Sequence, residues 1–114
     1  MKKQEKFLND LLIKGFVDAR KLAAVANATK LPNGEVGLCL MCLDGNTLNF
    51  YDTNLKQEVG SLLYSVNLKE VTNLKTSTFM LNSYIKFSHN GFDYKLVDCV
   101  HKPLYQAIRE ENSN

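Results

Sequence analysis

Three cysteines and two histidines are the side chains of this chain best suited to chemistry, and their spacing says which chemistry to test. Cys39 and Cys42 stand in C-x-x-C spacing within "VGLCLMCLDGNTLNFYD", residues 36 to 52, a spacing that elsewhere clamps zinc or carries a redox disulfide. Cys99 and His101 would extend that pair to a three-cysteine, one-histidine ligand set. Asp98, three residues before His101, invites a general-base reading of that imidazole.

The elements that must position these groups argue against each of those uses. In an extended strand, residues three apart point to opposite faces, so Cys39 and Cys42 cannot chelate one ion unless they sit on a turn or a helix start. The turn falls later, at Asp44-Gly45 or Gly45-Asn46. Cys39, Met41 and Leu43 then share a face with Leu48 and Phe50, while Cys42 lies opposite with Leu38, Leu40 and Tyr51. A thioredoxin-type use needs the motif at a helix N-terminus, where the dipole lowers the thiol pKa. No recognisable motif sets a nucleophile beside His101, and Asp98 reads as the N-cap of a following helix. The chain has no P-loop, no Rossmann glycine pattern and no H-E-x-x-H. The expectation is a protein without catalytic residues, metal or cofactor. An enzyme would have to use His101 or Cys42.

Periodicity supplies the scaffold. Phe7, Leu8, Leu11 and Leu12 form one stripe opposite Lys3, Glu5, Lys6, Asn9 and Asp10, which predicts an amphipathic helix ended by Gly15. "DARKLAAVANA", residues 18 to 28, predicts a second helix, with Asp18 as N-cap and Ala19, Leu22, Ala23 and Ala26 on one side. Pro32, Asn33 and Gly34 then break the pattern, and the period changes to two. The expected organisation is a helical extension over residues 1–30, packing on the sheet or on a partner, followed by a β-domain over residues 31–114. Its strands are expected near 36–43, 47–52, 57–66, 71–79, 83–89 and 92–97. Asn90-Gly91 is a type I′ hairpin pair, which sets His89 opposite Phe92, Phe87 opposite Tyr94, Lys86 opposite Lys95 and Ile85 opposite Leu96. Val100, Leu104, Ala107, Ile108 and Glu111 predict a closing helix with Pro103 in its first turn.

Two surfaces follow. Lys86 and Lys95, directly opposed on the outer face, repel each other unless something answers them; Asp93 is the diagonal candidate. Read as a site rather than as a solvated face, these lysines, joined by Lys69 or Lys75, would take a phosphate headgroup or an acidic protein segment. The other surface is apolar. The strand holding both thiols is hydrophobic on both sides, so the face bearing Leu38 and Leu40 must be covered by Phe7, Leu8, Leu11 and Leu12 or by an identical subunit. Packing within the chain is the expected cover.

Composition sets the outer bounds. With 45% hydrophobic and 23% charged residues, the 12.9 kDa chain suits one globular domain, and a net charge of +2 gives no reason to expect nucleic acid as a partner. The segment "MKKQEKFLNDLLIKGF" lacks the uninterrupted apolar core of a signal peptide, and an odd cysteine count suits a reducing compartment, so a cytoplasmic location is expected.

The order of elements, a meander of six or seven strands closed by one helix, resembles the pleckstrin-homology-like superfold, which includes GRAM and bacterial pleckstrin-homology-like domains. "LPNGEVGLCLMCLDGNTLNFYDTN" is similar to that family's opening glutamate-led strand and hairpin, and "YSVNLKEVTNLK" to the passage into its second sheet. "YIKFSHNGFDYKLVDCVHKPLYQAI" is similar to its last hairpin and capping helix. The resemblance covers residues 31 to 114 and implies an α+β fold: a partly open antiparallel barrel of two roughly orthogonal sheets, plugged at one end by the helix. It implies a binding or assembly module; the leading expectation is one that works through protein contacts, with a protein partner or its own oligomer, and the alternative is an anionic lipid surface or acidic ligand met by the exposed lysines. Lipid-binding members carry basic residues around the loop joining their first two strands. On this reading of the strands that loop is Asp44-Gly45-Asn46, with none.

Overall fold

A computed structural model of the chain describes residues 3–32, 34 and 36–113. Asn33 and Glu35, which belong to the expected breaker and to the glutamate-led strand opening, lie outside the described residues. Helix α1 (Lys3–Ile13) is followed by strands β1 (Ala23–Lys30), β2 (Gly37–Asp44), β3 (Thr47–Asp52), β4 (Leu62–Asn67), β5 (Thr72–Ser77), β6 (Tyr84–His89) and β7 (Phe92–Val97), and the chain closes with α2 (Lys102–Ser113). Single 3-10 turns at Leu68–Glu70 and Met80–Asn82 flank β5. The strands form one antiparallel sheet in the order β4-β3-β2-β1-β7-β6-β5. Its two ends are left open, as in the expected partial barrel.

The second predicted helix is not there. Residues 23–30 form the central strand, hydrogen-bonded to β2 on one side and β7 on the other. Leu22, Ala24, Ala26 and Ala28 repeat at two as readily as Ala19, Leu22, Ala23 and Ala26 repeat at helical spacing. The tie is decided by unpaired strand edges on both flanks, which only an extended segment satisfies. Asp18 caps no helix: its carboxylate accepts from the backbone N–H groups of Arg20 (2.9 Å) and Gly45 (2.8 Å), tying the α1–β1 turn to the β2–β3 hairpin. Arg20 answers it at 2.7 Å and holds its carboxyl down to about pKa 2. The strand expected over 57–66 begins only at Leu62, because Asn54 folds the preceding loop by accepting from Lys56 and Glu58.

Both hairpins follow their turn chemistry. Asn90 and Gly91 have positive φ (50° and 77°), and the register His89↔Phe92 through Ile85↔Leu96 is the one expected. The sheet then curls: Phe50 of β3 stacks 6.3 Å from Phe87 of β6 and 5.9 Å from Tyr94 of β7. Several strand spacings separate these residues along the sheet, so such contact requires it to fold over on itself. Around that stack lie Met41, Leu43, Leu48, Val66, Ile85 and Leu96, with Leu104, Tyr105, Ala107 and Ile108 of α2 as the plug. Val100, expected on the helix face, lies before the helix and is exposed.

The thiol-bearing strand divides the interior as expected. Cys39, Met41 and Leu43 face the main core, whereas Leu40 and Cys42 face a second cluster with Leu11, Val17 and Ala23, bordered by Phe7, Leu8, Phe16 and Tyr51. Helix α1 therefore covers the outer face of β1–β3 from within the chain. Leu12, one of the four expected cover residues, instead turns outward at 36% exposure.

Candidate binding site

The outer face of β5–β7 is built by alternation. Along β6, Ile85, Phe87 and His89 are buried while Tyr84, Lys86 and Ser88 point outward. Pairing then aligns charge: Lys75 is opposite Lys86, and Lys86 opposite Lys95. Three lysines thus cross three adjacent strands in one row, at about 5 Å per step, and in the backbone register Lys30 of β1 pairs with Lys95. Lys75, Lys86 and Lys95, with Asn73, Ser88 and Asp93, line a trough of about 420 Å³.

Within it Asp93 accepts from the Ser88 hydroxyl at 2.6 Å, and Asn73 Nδ2 reaches the same hydroxyl oxygen at 3.5 Å. The ion pairs among the described residues join Arg20 to Asp18 and to Glu111, so none involves the three trough lysines. Lys86 Nζ instead lies 5.3 Å from the centre of the Tyr84 ring, a cation–π contact. Directly opposed like charges cost a few tenths of a kcal/mol per pair. Neighbouring lysines of the row lie within the Debye length of about 8 Å at physiological salt, so their fields add over the trough.

Of the lysines anticipated, Lys75, Lys86 and Lys95 are brought together. Lys69 sits on the Leu68–Glu70 turn and does not line the trough. Lys30 was missed because its strand was read as helix; once β1 is known, its register follows. The loop joining the first two strands is residues 31–36, not Asp44–Asn46, which is the β2–β3 turn. That segment also lacks a basic residue, although Lys30 immediately precedes it.

The chemical candidates are dispersed. Cys39 and Cys42 are buried on opposite faces, and burial pushes both thiols up to about 12, so neither is a nucleophile near neutrality. Cys99 is buried in the main core and accepts a hydrogen bond at its carbonyl from the Tyr105 hydroxyl (2.9 Å). His101, not Asp98, caps α2: its Nδ1 accepts from the Leu104 N–H at 3.1 Å. Asp98, at positive φ (62°), accepts from Asn27 instead, so the expected His–Asp couple is not made. Among the described residues no group of three or more His, Cys, Asp or Glu side chains is placed to hold a metal ion. Of the apolar set, Leu11 and Leu40 are enclosed, Phe7, Leu8 and Leu38 half-buried, and Leu12 exposed.

No family model matches the sequence, and no curated protein does. The fold has clear counterparts. The pleckstrin homology domain of ArhGAP27, a crystal structure, aligns over 80% of this chain and 99% of its own at 16% identity, with a TM-score of 0.54. The PH domain of human oxysterol-binding protein-related protein 11 aligns over 80% of this chain and 76% of its own at 14% identity, with a TM-score of 0.53. Identities this low carry the fold and nothing finer. With its open seven-stranded antiparallel sheet and plugging C-terminal helix, the chain has the pleckstrin-homology-like fold.

Proposed function

We propose that this chain is a non-catalytic binding module whose working surface is the lysine-lined trough and whose partner carries clustered negative charge. One observation carries the reading: Lys75, Lys86 and Lys95 stand in cross-strand register without an ion pair among the described residues, on a face where alternation would equally admit neutral or acidic residues. An anionic partner converts that repulsion into attraction. The test is fluorescence anisotropy of a labelled decaglutamate peptide, alongside sedimentation with phosphatidylserine vesicles. Binding to at least one probe should weaken as salt rises and disappear in the Lys86→Glu, Lys95→Glu double variant. Binding equal to wild type in that variant, or no binding to either probe, refutes the reading.

A second reading, assembly through a protein partner or a second copy, is favoured by the open sheet. β4 and β5 each pair on one side only, and Leu62 on β4 is exposed. Sedimentation equilibrium decides the self-assembly form, which requires a mass above 12.9 kDa. Three free, buried thiols suit action in a reducing compartment such as the cytoplasm.

A further inference from the structure

We propose that the hollow between α2 and the end of β5 is a second ligand site, which takes the phosphate group of a small, soluble phosphate monoester on Arg109, Lys102, Thr76 and Thr78. It lies apart from the lysine trough and does not depend on the reading drawn from that trough. On α2, Lys102, Tyr105, Gln106 and Arg109 follow one another at i, i+3, i+4 and i+7, so they share one face over two turns. That face meets Thr76 and Thr78 across a hollow of about 250 Å³. Tyr105 is fully buried and gives its hydroxyl hydrogen to the Cys99 carbonyl (2.9 Å), so it serves as a wall.

The chain's two arginines stand in opposite circumstances. Arg20 is neutralised, 2.7 Å from Asp18 and 3.5 Å from Glu111. Arg109 is followed directly by Glu110 and Glu111, yet among the described residues it forms an ion pair with neither. Glu111 turns to Arg20, and Glu110 accepts from Gln106 Nε2 at 3.2 Å. Arg109 instead donates through Nη1 to Thr76 Oγ1 at 2.6 Å, which fixes the guanidinium beside the hollow. No carboxylate among the described residues lines it.

Two positive charges without a carboxylate, next to two hydroxyls, match a tetrahedral dianion. The arginine fork can bond two phosphate oxygens at once, and the Lys102 ammonium adds a compact charge. Thr76, whose oxygen accepts from Arg109, keeps its own O–H to donate, as does Thr78. Size and placement select a soluble ligand. The hollow is smaller than the roughly 300–1,000 Å³ of sites for drug-sized molecules, so it suits a phosphate and a few further atoms. Thr76 pairs with the buried Ile85, whereas Lys75 pairs with the outward Lys86, so a flat surface resting on the lysine row does not reach it.

The test is a titration of the isotope-labelled full chain with methyl phosphate, followed by amide and arginine side-chain resonances, with sodium acetate at matched ionic strength as the planar-anion control. Shifts should saturate in the millimolar range and centre on Thr76, Thr78, Gln106 and the Arg109 Nε–H, and acetate should not reproduce them. Affinity should fall about tenfold in Arg109→Gln. It should fall several-fold in Lys102→Gln, which removes a charge without touching the bond to Thr76 and decides the matter if Arg109→Gln does not fold. The Lys86→Glu, Lys95→Glu variant should bind methyl phosphate as wild type does. Sedimentation with phosphatidic acid vesicles, which carry the same group at a surface, should be unchanged by Arg109→Gln. The inference is overturned, with the anionic-partner reading intact, if the shifts do not saturate by about 20 mM, if acetate produces the same shifts, or if neither glutamine variant weakens binding. It is overturned equally if the trough variant abolishes the response, since the phosphate then sits on the lysines, or if Arg109 governs vesicle binding while methyl phosphate has no effect.

Discussion

The sheet has two outer faces that the same chain treats in opposite ways. Over β1–β3 the outward positions are Ala23, Val25, Leu40, Cys42 and Tyr51, and α1 closes them off through Phe7, Leu8 and Leu11. Phe16 and Tyr51 meet edge-to-face at 5.0 Å along that seam. Over β5–β7 the outward positions are Asn73, Lys75, Lys86, Ser88, Asp93 and Lys95, and no helix among the described residues covers them. Every residue from Cys39 to Leu43 on β2 is buried, whereas buried and outward residues alternate along β6. One face is closed off by the chain itself, and the other stays exposed.

The contrast can be broken most severely by moving a lysine to the covered face. Leu40→Lys would bury an unpaired ammonium beneath α1 and should cost about 4 kcal/mol or more, read as loss of the cooperative urea transition. Thinning the cover is milder: Leu11→Ala leaves a cavity between α1 and β2 and should cost about 2–4 kcal/mol, seen as a lower urea midpoint. Next comes the turn that delivers α1 to the sheet.

Asp18→Asn weakens the contacts to Arg20 and Gly45 and should cost about 1–2 kcal/mol. Because Arg20 lowers the Asp18 pKa from 3.8 to about 2 on folding, its contribution is fully present above about pH 4 and fades as pH falls through 2. Denaturation midpoints measured across that window should therefore converge for wild type and Asp18→Asn at the acid end.

The smallest effect on stability falls on the open face. Lys86→Glu sets a carboxylate between Lys75 and Lys95 and should raise stability by about 0.5 kcal/mol while weakening anion binding. A loss of stability there would mean that the lysine row helps hold the fold together, and the contrast between the faces would disappear.

How much of this was legible without coordinates depends on how local the signal is. Asn90-Gly91 specifies its hairpin through the backbone preferences of two residues, so the lysine pairing Lys86↔Lys95 could be read directly, whereas the choice of Gly45-Asn46 over Asp44-Gly45 came from the structure. The opposite facing of Cys39 and Cys42 needed only the strand period. Strand β1 was misread because alanine satisfies both periods and its β-character comes from neighbours far away in sequence: Ala26 lies opposite Cys39, and Asn27 opposite Val97. Lys30 was lost with it. That His101 rather than Asp98 caps α2 was not legible, because either side chain can cap a helix, and where α2 begins is settled by how Leu104 and Tyr105 seat in the core.

By itself, then, the order of residues determined the two hairpins, the apolar stripe of α1, the closing helix and the division of one strand between two interiors, because each depends on periods or turns a few residues long. Tertiary structure alone decided that residues 23–30 would extend, that the outer face of β5–β7 would stay exposed, and that Lys75 would align with Lys86 and Lys95 across the sheet. Those outcomes depend on which unpaired edges and apolar faces meet once the chain has curled. Hydrogen-bond completion and burial between distant segments outweigh the local preferences of alanine-rich sequence.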